Sequence, residues 1–258
     1  MPTGNRVATA VLGAMLVAGA AVAGETGPCP GNYLPPLVLP HVKQAIASNQ
    51  EVTIVALGSS STQGVHASDI GHSYPSILQT ELTKAFPGSH FVVLNRGIGG
   101  QDATEELARL EHDALSVGPA LVIWQVGANG AMGHADPAVF ADQVSTGVTQ
   151  IADAQADVVL MDNQRSPMVM ASPLHAQFEQ ALGEVAQAQH VGLFERGRLM
   201  DEWKSEGYPY AEFVSEDGVH HNDHGYACVA KALAHSIAAG LGRSSPMQIA
   251  NVGATIRR

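Results

Sequence analysis

The sequence is poor in cysteine, in aromatic residues and in positive charge. Its 258 residues include 2 cysteines, 5% aromatic residues, and 13 lysines and arginines against 24 aspartates and glutamates. The formal net charge of −11 argues against nucleic acid or an anionic membrane as a partner. With so few aromatic side chains there is no evident platform for stacking a sugar ring. No long apolar lid segment is present either, which disfavours a lipase.

The first 23 residues are typical of a secretory signal peptide. One basic residue, Arg6, precedes an apolar run that ends in the small residues Ala21-Val22-Ala23. The alternative is an uncleaved membrane anchor, but the run is short for a membrane span. We therefore expect cleavage after Ala23 and a periplasmic or secreted protein that is not attached to a membrane.

The two cysteines, Cys29 and Cys228, are candidates for a disulfide in an oxidising compartment. The alternative is two free thiols, with Cys228 buried. We expect the disulfide, which would tie an N-terminal lead-in over residues 24–50 to the last helix of the domain.

Apolar strand-like segments alternate with helical patterns along residues 51–240. Strands are predicted at residues 52–57, 91–94, 120–126, 157–161 and 191–194. The last helix is predicted over residues 222–239, with Gly240 as its stop. Strands that are apolar on both faces and separated by helices indicate a parallel sheet covered on both sides. The predicted fold is therefore a flavodoxin-like three-layer α/β/α sandwich with about five strands, followed by a tail over residues 241–258.

Polar and glycine-rich clusters follow the strands, where ligands bind in sheets of this kind. Each cluster alone has a structural explanation as a turn, a helix cap or a local ion pair. Together and in this order, those explanations become improbable. The clusters read GSSST at residues 58–62, NRGIGG at 95–100, GAN at 127–129 and DGVHHNDHGY at 217–226.

This set of motifs resembles the SGNH/GDSL hydrolase family over roughly residues 51–235. The resemblance implies the SGNH hydrolase fold and assigns three catalytic roles: nucleophile to Ser60, general base to His220, and orientation of the imidazole to Asp217. It also implies an oxyanion hole formed by the backbone N–H groups of Ser60 and Gly100 and by the side-chain amide of Asn129. No metal or organic cofactor is implied.

Two positions depart from the family pattern. Ser59 stands where the family's Gly-Asp-Ser motif has its acid, and Gly130 stands where an acid usually follows the asparagine. The acid before the nucleophile has a supporting role, so we expect activity to be retained.

Two other kinds of site are disfavoured. His220 and His224 are four residues apart, which is metal-ligand spacing on a helix, but no third histidine or glutamate-rich partner is evident. We expect His221 and His224 to be solvated residues at a helix N-terminus. Thr62 stands where the Gly-x-Ser-x-Gly elbow of α/β-hydrolases requires its second glycine.

The resemblance predicts a secreted serine hydrolase that cleaves carboxylic esters of small acyl groups, including O-acetyl groups on polysaccharides. Gln164 and Arg165 follow the fourth predicted strand and are candidates for substrate binding at the same rim. Two alternatives share the fold: an O-acyltransferase that passes the acyl group to a carbohydrate hydroxyl, and a non-catalytic carbohydrate-binding relative. The sequence does not indicate an oligomeric state.

Overall fold

The computed structural model describes Met1 and residues 27–31 and 34–243. The predicted signal peptide, apart from Met1, and the predicted tail from residue 244 onward lie outside the described residues. Within them, no helix is both long and apolar enough to cross a membrane.

Five parallel strands form one sheet in the order β2-β1-β3-β4-β5. The sheet places β1 and β3 side by side, so the loops after them open at the same edge. This confirms the predicted doubly covered parallel sheet. The strands are β1 (Val52–Gly58), β2 (Phe91–Gly97), β3 (Leu121–Gln125), β4 (Asp157–Met161) and β5 (Gly192–Phe194).

Helices cover both faces of the sheet and give the three predicted layers. Ile54 and Ala56 of β1 point into a core shared with α1, α3, α10 and α11, while Val55 and Leu57 point into a second core shared with α5, α7 and α9. This alternation along one strand is the period-two pattern of a strand buried on both sides. The helices are α1 (Pro40–Ala47), α2 (Ser60–Gln63), α3 (Tyr74–Ala85), α4 (Ala103–Ala108), α5 (Leu110–Asp113), α6 (Ala128–Met132), α7 (Pro137–Asp153), α8 (Pro167–Met170), α9 (His175–Gln189), α10 (Arg196–Ser205) and α11 (Asp223–Gly240).

The structure departs from the prediction at three elements. Strand β2 continues to Gly97, three residues beyond the predicted end, because its last residues pair with the end of β1. Helix α10 was not predicted. Gly240 is the last residue of α11 rather than its stop, and a Cβ atom there would lie 1.7 Å from the Leu37 carbonyl oxygen. Glycine is required at this position by the close approach of the N-terminal segment.

The N-terminal segment is attached to the domain covalently and by hydrogen bonds. Cys29 and Cys228 form a disulfide, which confirms the predicted pairing. The Leu37 N–H donates to the Ser236 carbonyl of α11 at 3.0 Å, and the Trp203 indole donates to the Gly31 carbonyl at 2.9 Å.

Candidate active site

Ser60, His220 and Asp217 meet at the carboxyl edge of the sheet. Ser60 is the first residue of α2, directly after β1, and its Oγ lies 2.7 Å from His220 Nε2. His220 Nδ1 lies 2.5 Å from Asp217 Oδ2. The two bonds join the three side chains in the order hydroxyl, imidazole and carboxylate, so the structure brings together the three residues that the sequence singled out.

The Asp217 carboxylate is held in place by its own loop. Its Oδ1 accepts backbone N–H bonds from Val219 and His220, both at 3.0 Å, and the Ser215 hydroxyl also donates to it. Burial raises the pKa of Asp217, but these hydrogen bonds and the one from His220 lower it well below its ordinary value. The group is therefore a carboxylate at neutral pH and can stabilise a positive charge on His220.

The loop that carries Asp217 and His220 is closed on itself and anchored to β4. The Ser215 N–H donates to the His220 carbonyl at 2.8 Å, and Val214 forms a β-bridge with His221. The Gln164 amide, just after β4, donates to the Val219 carbonyl at 2.8 Å. These bonds fix the position of His220 relative to the carboxyl edge of the sheet.

The turn that carries Ser60 is fixed by a glutamine at the end of β3. Gln125 Oε1 accepts hydrogen bonds from the Ser59 N–H, the Ser59 hydroxyl and the Thr62 hydroxyl, each at 3.2 Å. Ser59 is 4% exposed. Ser59, which replaces the acid of the family motif, therefore has a hydrogen-bond partner in Gln125, because its hydroxyl donates to the amide oxygen.

Two of the predicted oxyanion residues, Gly100 after β2 and Asn129 in α6, lie on segments that are hydrogen-bonded to their neighbours. The Gly99 N–H, next to Gly100, donates to the Gln63 side chain at 2.9 Å. Asn129, in the first turn of α6, donates one amide N–H to the Gln101 carbonyl at 2.8 Å. An amide nitrogen carries two N–H groups, so this bond orients the side chain and leaves a second donor for an oxyanion.

Arg109 links residues 58–62, called the nucleophile turn after the role predicted for Ser60, to the loop after β2 that carries Gly100 and Gln101. Sequence reasoning missed it. Its guanidinium donates to the Gly58 carbonyl at 3.0 Å, to the Gln101 side chain at 2.6 Å and to Asp113 at 3.0 Å. No sequence signal marks it, because it follows α4 and lies 51 residues from Gly58 along the chain.

His66 is a second histidine at Asp217 that sequence reasoning also missed. Its Nε2 lies 3.2 Å from Asp217 Oδ2, and its ring stacks on that of His220 with centroids 5.6 Å apart and planes at 21°. His66 follows α2 by three residues, so the segment that carries Ser60 also positions this imidazole.

The second departure from the family pattern, Gly130, has a packing reason. A Cβ atom at Gly130 would lie 2.8 Å from the ring of Phe178 in α9. An aspartate at this position therefore requires Phe178 to move, so glycine and the phenylalanine fit as a pair.

The two candidate substrate-binding residues are engaged in contacts within the protein. The Arg165 side chain, 12% exposed, donates to Asp201 at 3.0 Å and pairs with Glu179. Gln164 is buried and accepts from Arg196 at 2.7 Å. These contacts give both residues structural roles, and their binding of substrate stays a prediction.

The histidines that follow His220 differ from the sequence expectation. His221 is fully buried rather than solvated, and its Nδ1 lies 2.9 Å from the Phe213 carbonyl oxygen. Burial lowers its pKa to about 3, so it is neutral. His224 packs on the Phe213 ring at 5.0 Å between centroids. The ring nitrogen of His224 that could serve as a metal ligand lies close to the two sulfurs of the disulfide. It does not belong to the group of candidate ligand atoms that contains His220.

A mainly apolar cavity of about 530 Å³ adjoins residues 214–221, which we call the acid–base loop after the roles predicted for Asp217 and His220. Ser215 and Gly218, which lie on either side of Asp217 in the chain, form part of its wall. Met170 and Tyr210, whose side chains are much larger than those of Ser215 and Gly218, also line the cavity. The cavity provides room for an apolar group beside the candidate site.

The family described as the non-GDSL lipase-like family matches residues 28–243. Among individual proteins, the chain is similar to an arylesterase from Vibrio mimicus. The two are 29% identical over 187 residues, which cover 68% of this chain and 92% of the relative.

Solved structures resemble the fold at lower sequence identity. A two-domain esterase active on acetylated mannans, co-crystallised with mannopentaose, is 22% identical with a TM-score of 0.67. The match covers 82% of this chain and 56% of that one, so this chain spans little more than half of the two-domain protein. A catalytic mutant of an acetylxylan esterase from Geobacillus stearothermophilus is 18% identical with a TM-score of 0.62, and the match covers 72% and 93% of the two chains.

Proposed function

Because the chain belongs to the non-GDSL lipase-like family and is an ester hydrolase of the SGNH/GDSL type, we propose that it hydrolyses esters through an acyl-enzyme on Ser60. The observation that carries this proposal is the continuous hydrogen-bonded path from Ser60 to Asp217. Its two links measure 2.7 Å and 2.5 Å.

In the first half of the reaction, Ser60 Oγ attacks the ester carbonyl carbon while its proton passes to His220 Nε2. The carbonyl oxygen becomes an oxyanion that accepts hydrogen bonds from Asn129 and from the N–H groups of Ser60 and Gly100. One such donor contributes about 3–4 kcal/mol where it has been removed in other enzymes. Asp217 stabilises the imidazolium.

The tetrahedral intermediate then collapses. The bond between the carbonyl carbon and the alcohol oxygen breaks, and His220 returns its proton to the leaving alcohol. A water molecule attacks the acyl-Ser60, again giving its proton to His220, and that proton goes to Ser60 Oγ as the carboxylic acid is released.

The proposed substrates are esters of small acyl groups, including O-acetyl groups on polysaccharides. Two neighbours of the same fold are described as acting on acetylated mannans and on acetylxylan, which supports this substrate class.

We also propose that the protein works outside the cytoplasm, after removal of residues 1–23. The Cys29–Cys228 disulfide supports this location, because disulfides persist in oxidising compartments.

The test is hydrolysis of p-nitrophenyl acetate by the purified protein and by Ser60→Ala and Ser59→Ala. We expect Ser60→Ala to abolish turnover, because it removes the nucleophile. Ser59→Ala should keep most of the activity, because Ser59 contacts Gln125 and not the reacting atoms. Equal rates for Ser60→Ala and the wild type would refute the acyl-enzyme. Acetate release from acetylated mannan and xylan then tests the substrate class.

A further inference from the structure

His66 lies at the candidate site without a part in the proposed reaction. Its Nε2 and the Nδ1 of His220 both face Asp217 Oδ2, at 3.2 Å and 2.5 Å. One ligand atom from each of the three residues lies within 4.8 Å of the other two. Two imidazole nitrogens and a carboxylate oxygen thus converge on one small volume.

We propose that His66, Asp217 and His220 form a binding site for a divalent transition-metal ion such as Zn²⁺ or Cu²⁺, and that its occupancy blocks ester hydrolysis. Two imidazoles and one carboxylate are a donor set that these ions prefer. Water would complete the coordination. The site is distinct from the helical pair of His220 and His224 considered from the sequence.

The surroundings hold His66 in place for such a site. The Tyr226 hydroxyl donates to the Val65 carbonyl at 2.7 Å, and the Ser68 N–H donates to Asp223 at 2.8 Å. The loop around His66 is therefore bonded on both sides to the segment that follows His220. The segments that carry the three ligands are tied to each other before an ion arrives.

The site is also open to solvent, and its ligand atoms must shift for an ion to bind. The side chain of His66 is 39% exposed and that of Asp217 is 23% exposed, so an ion can enter from water. With metal–ligand bonds of about 2.0–2.2 Å, adjacent ligand atoms lie roughly 3 Å apart. The bond between His220 and Asp217 must therefore open by several tenths of an ångström. His66 Nε2 is already at a suitable distance from Asp217 Oδ2, but the two imidazole nitrogens, which lie within 4.8 Å of each other, must also take up this spacing.

Metal binding would remove the general base, so the inhibitory half of the proposal rests on the proposed role of His220. With Nδ1 of His220 bound to the ion, its proton moves to Nε2. Nε2 then faces Ser60 Oγ as a donor and has no lone pair to accept the hydroxyl proton. No proton leaves the neutral ring in this change, and Asp217 is engaged by the same ion.

The experiment titrates Zn²⁺ and Cu²⁺ against the wild type, His66→Asn and His72→Asn, without reducing agent so that the disulfide stays closed. Asparagine suits position 66 because the backbone there has φ 67°, a region that asparagine tolerates. His72 is the matched control, since it also faces a carboxylate, Asp69, at 3.1 Å. Each rate of p-nitrophenyl acetate hydrolysis is compared with the same variant's metal-free rate.

We expect both ions to inhibit the wild type and His72→Asn alike, with recovery on addition of EDTA. In His66→Asn the inhibiting concentration should rise on the order of ten-fold or more, because one of three protein ligands is lost. Paramagnetic resonance of bound Cu²⁺ should show two imidazole nitrogens in the wild type and one in His66→Asn.

Three outcomes would overturn the proposal: a wild type that neither ion inhibits, equal sensitivity of wild type and His66→Asn, or a Cu²⁺ spectrum unchanged by His66→Asn. The spectrum needs no substrate. If the protein proves inactive on esters, the proposed function fails while the metal site is still decided by the Cu²⁺ titration.

Discussion

The two halves of the candidate site are built in different ways. The acid–base loop takes most of its bonds from its own sequence, since Asp217 accepts from residues two and three positions away. The nucleophile turn depends on partners that are distant in the chain. Gln125 lies 66 residues from Ser59, and Arg109 lies 51 residues from Gly58.

This difference indicates how each half responds to change. A locally bonded loop keeps its shape if the surrounding fold shifts slightly. Activity should therefore be most sensitive, in this half, to substitutions of Asp217 and His220 themselves. The nucleophile turn is positioned by Gln125 of the sheet and by Arg109, which follows α4. Substitutions far from Ser60 in sequence should therefore reduce its reactivity without touching the substrate.

Apart from loss of Ser60 itself, the largest decrease in kcat should come from removing the negative charge of Asp217. Asp217→Asn should lower kcat about 10⁴-fold, because the amide favours the wrong tautomer of His220. Steady-state kinetics on p-nitrophenyl acetate measures this, with Glu212→Gln as a control at an exposed acid of the same region. A loss below ten-fold would mean that Asp217 does not orient His220.

Asn129→Ala tests the proposed oxyanion donor in the first turn of α6 and should have the next largest effect. Removing one donor to the oxyanion should reduce kcat by about 10²–10³-fold with little change in KM, since the bond forms fully only in the transition state. A change confined to KM would instead place Asn129 in ground-state binding.

Arg109 provides the sharpest test of long-range positioning. Arg109→Gln removes the link between Gly58 and Gln101 and should lower kcat on the order of ten-fold, while KM stays nearly constant. Arg109→Lys keeps the positive charge but donates from a single nitrogen, so it should recover only part of the loss. Equal kcat values for Arg109→Gln and the wild type would show that the turn holds its geometry without the guanidinium.

The smallest effect is expected at Ser215. Ser215→Ala removes one of three donors to Asp217 Oδ1 and should lower the free energy of unfolding by about 1 kcal/mol at neutral pH. The pKa of Asp217 is depressed in the folded state, so the carboxylate stabilises the fold above its unfolded pKa and ceases to do so as the pH falls.

The difference between wild type and Ser215→Ala should therefore shrink below about pH 4, the ordinary pKa of an aspartate. Urea unfolding at several pH values measures it. A difference that stays constant down to pH 2 would show that the serine stabilises the loop independently of the carboxylate charge.

The sequence predicted those features that depend on local patterns. The five strands follow from short apolar segments that alternate with helical patterns along the chain. Asp217 and His220 lie three residues apart on one turn, so a motif could find both.

The features that the sequence did not reveal depend on contacts across the fold. Arg109 and His66 resemble ordinary surface residues until β1, α4 and the acid–base loop are assembled. Arg165 follows a strand in a position suited to substrate, yet the neighbouring helices supply two carboxylates to it. His221 was expected in solvent as a residue at a helix N-terminus, but the turn before α11 directs it inward.

The distance along the chain between Ser60 and His220 has a consequence for biosynthesis. The two residues are 160 positions apart, and the disulfide partners Cys29 and Cys228 are 199 apart. A growing chain therefore carries Ser60, the proposed nucleophile, long before it has His220, the proposed base. Covalent closure must also wait until α11 has been made, so hydrolytic competence should arise only at the end of synthesis, and C-terminally truncated products should be inert.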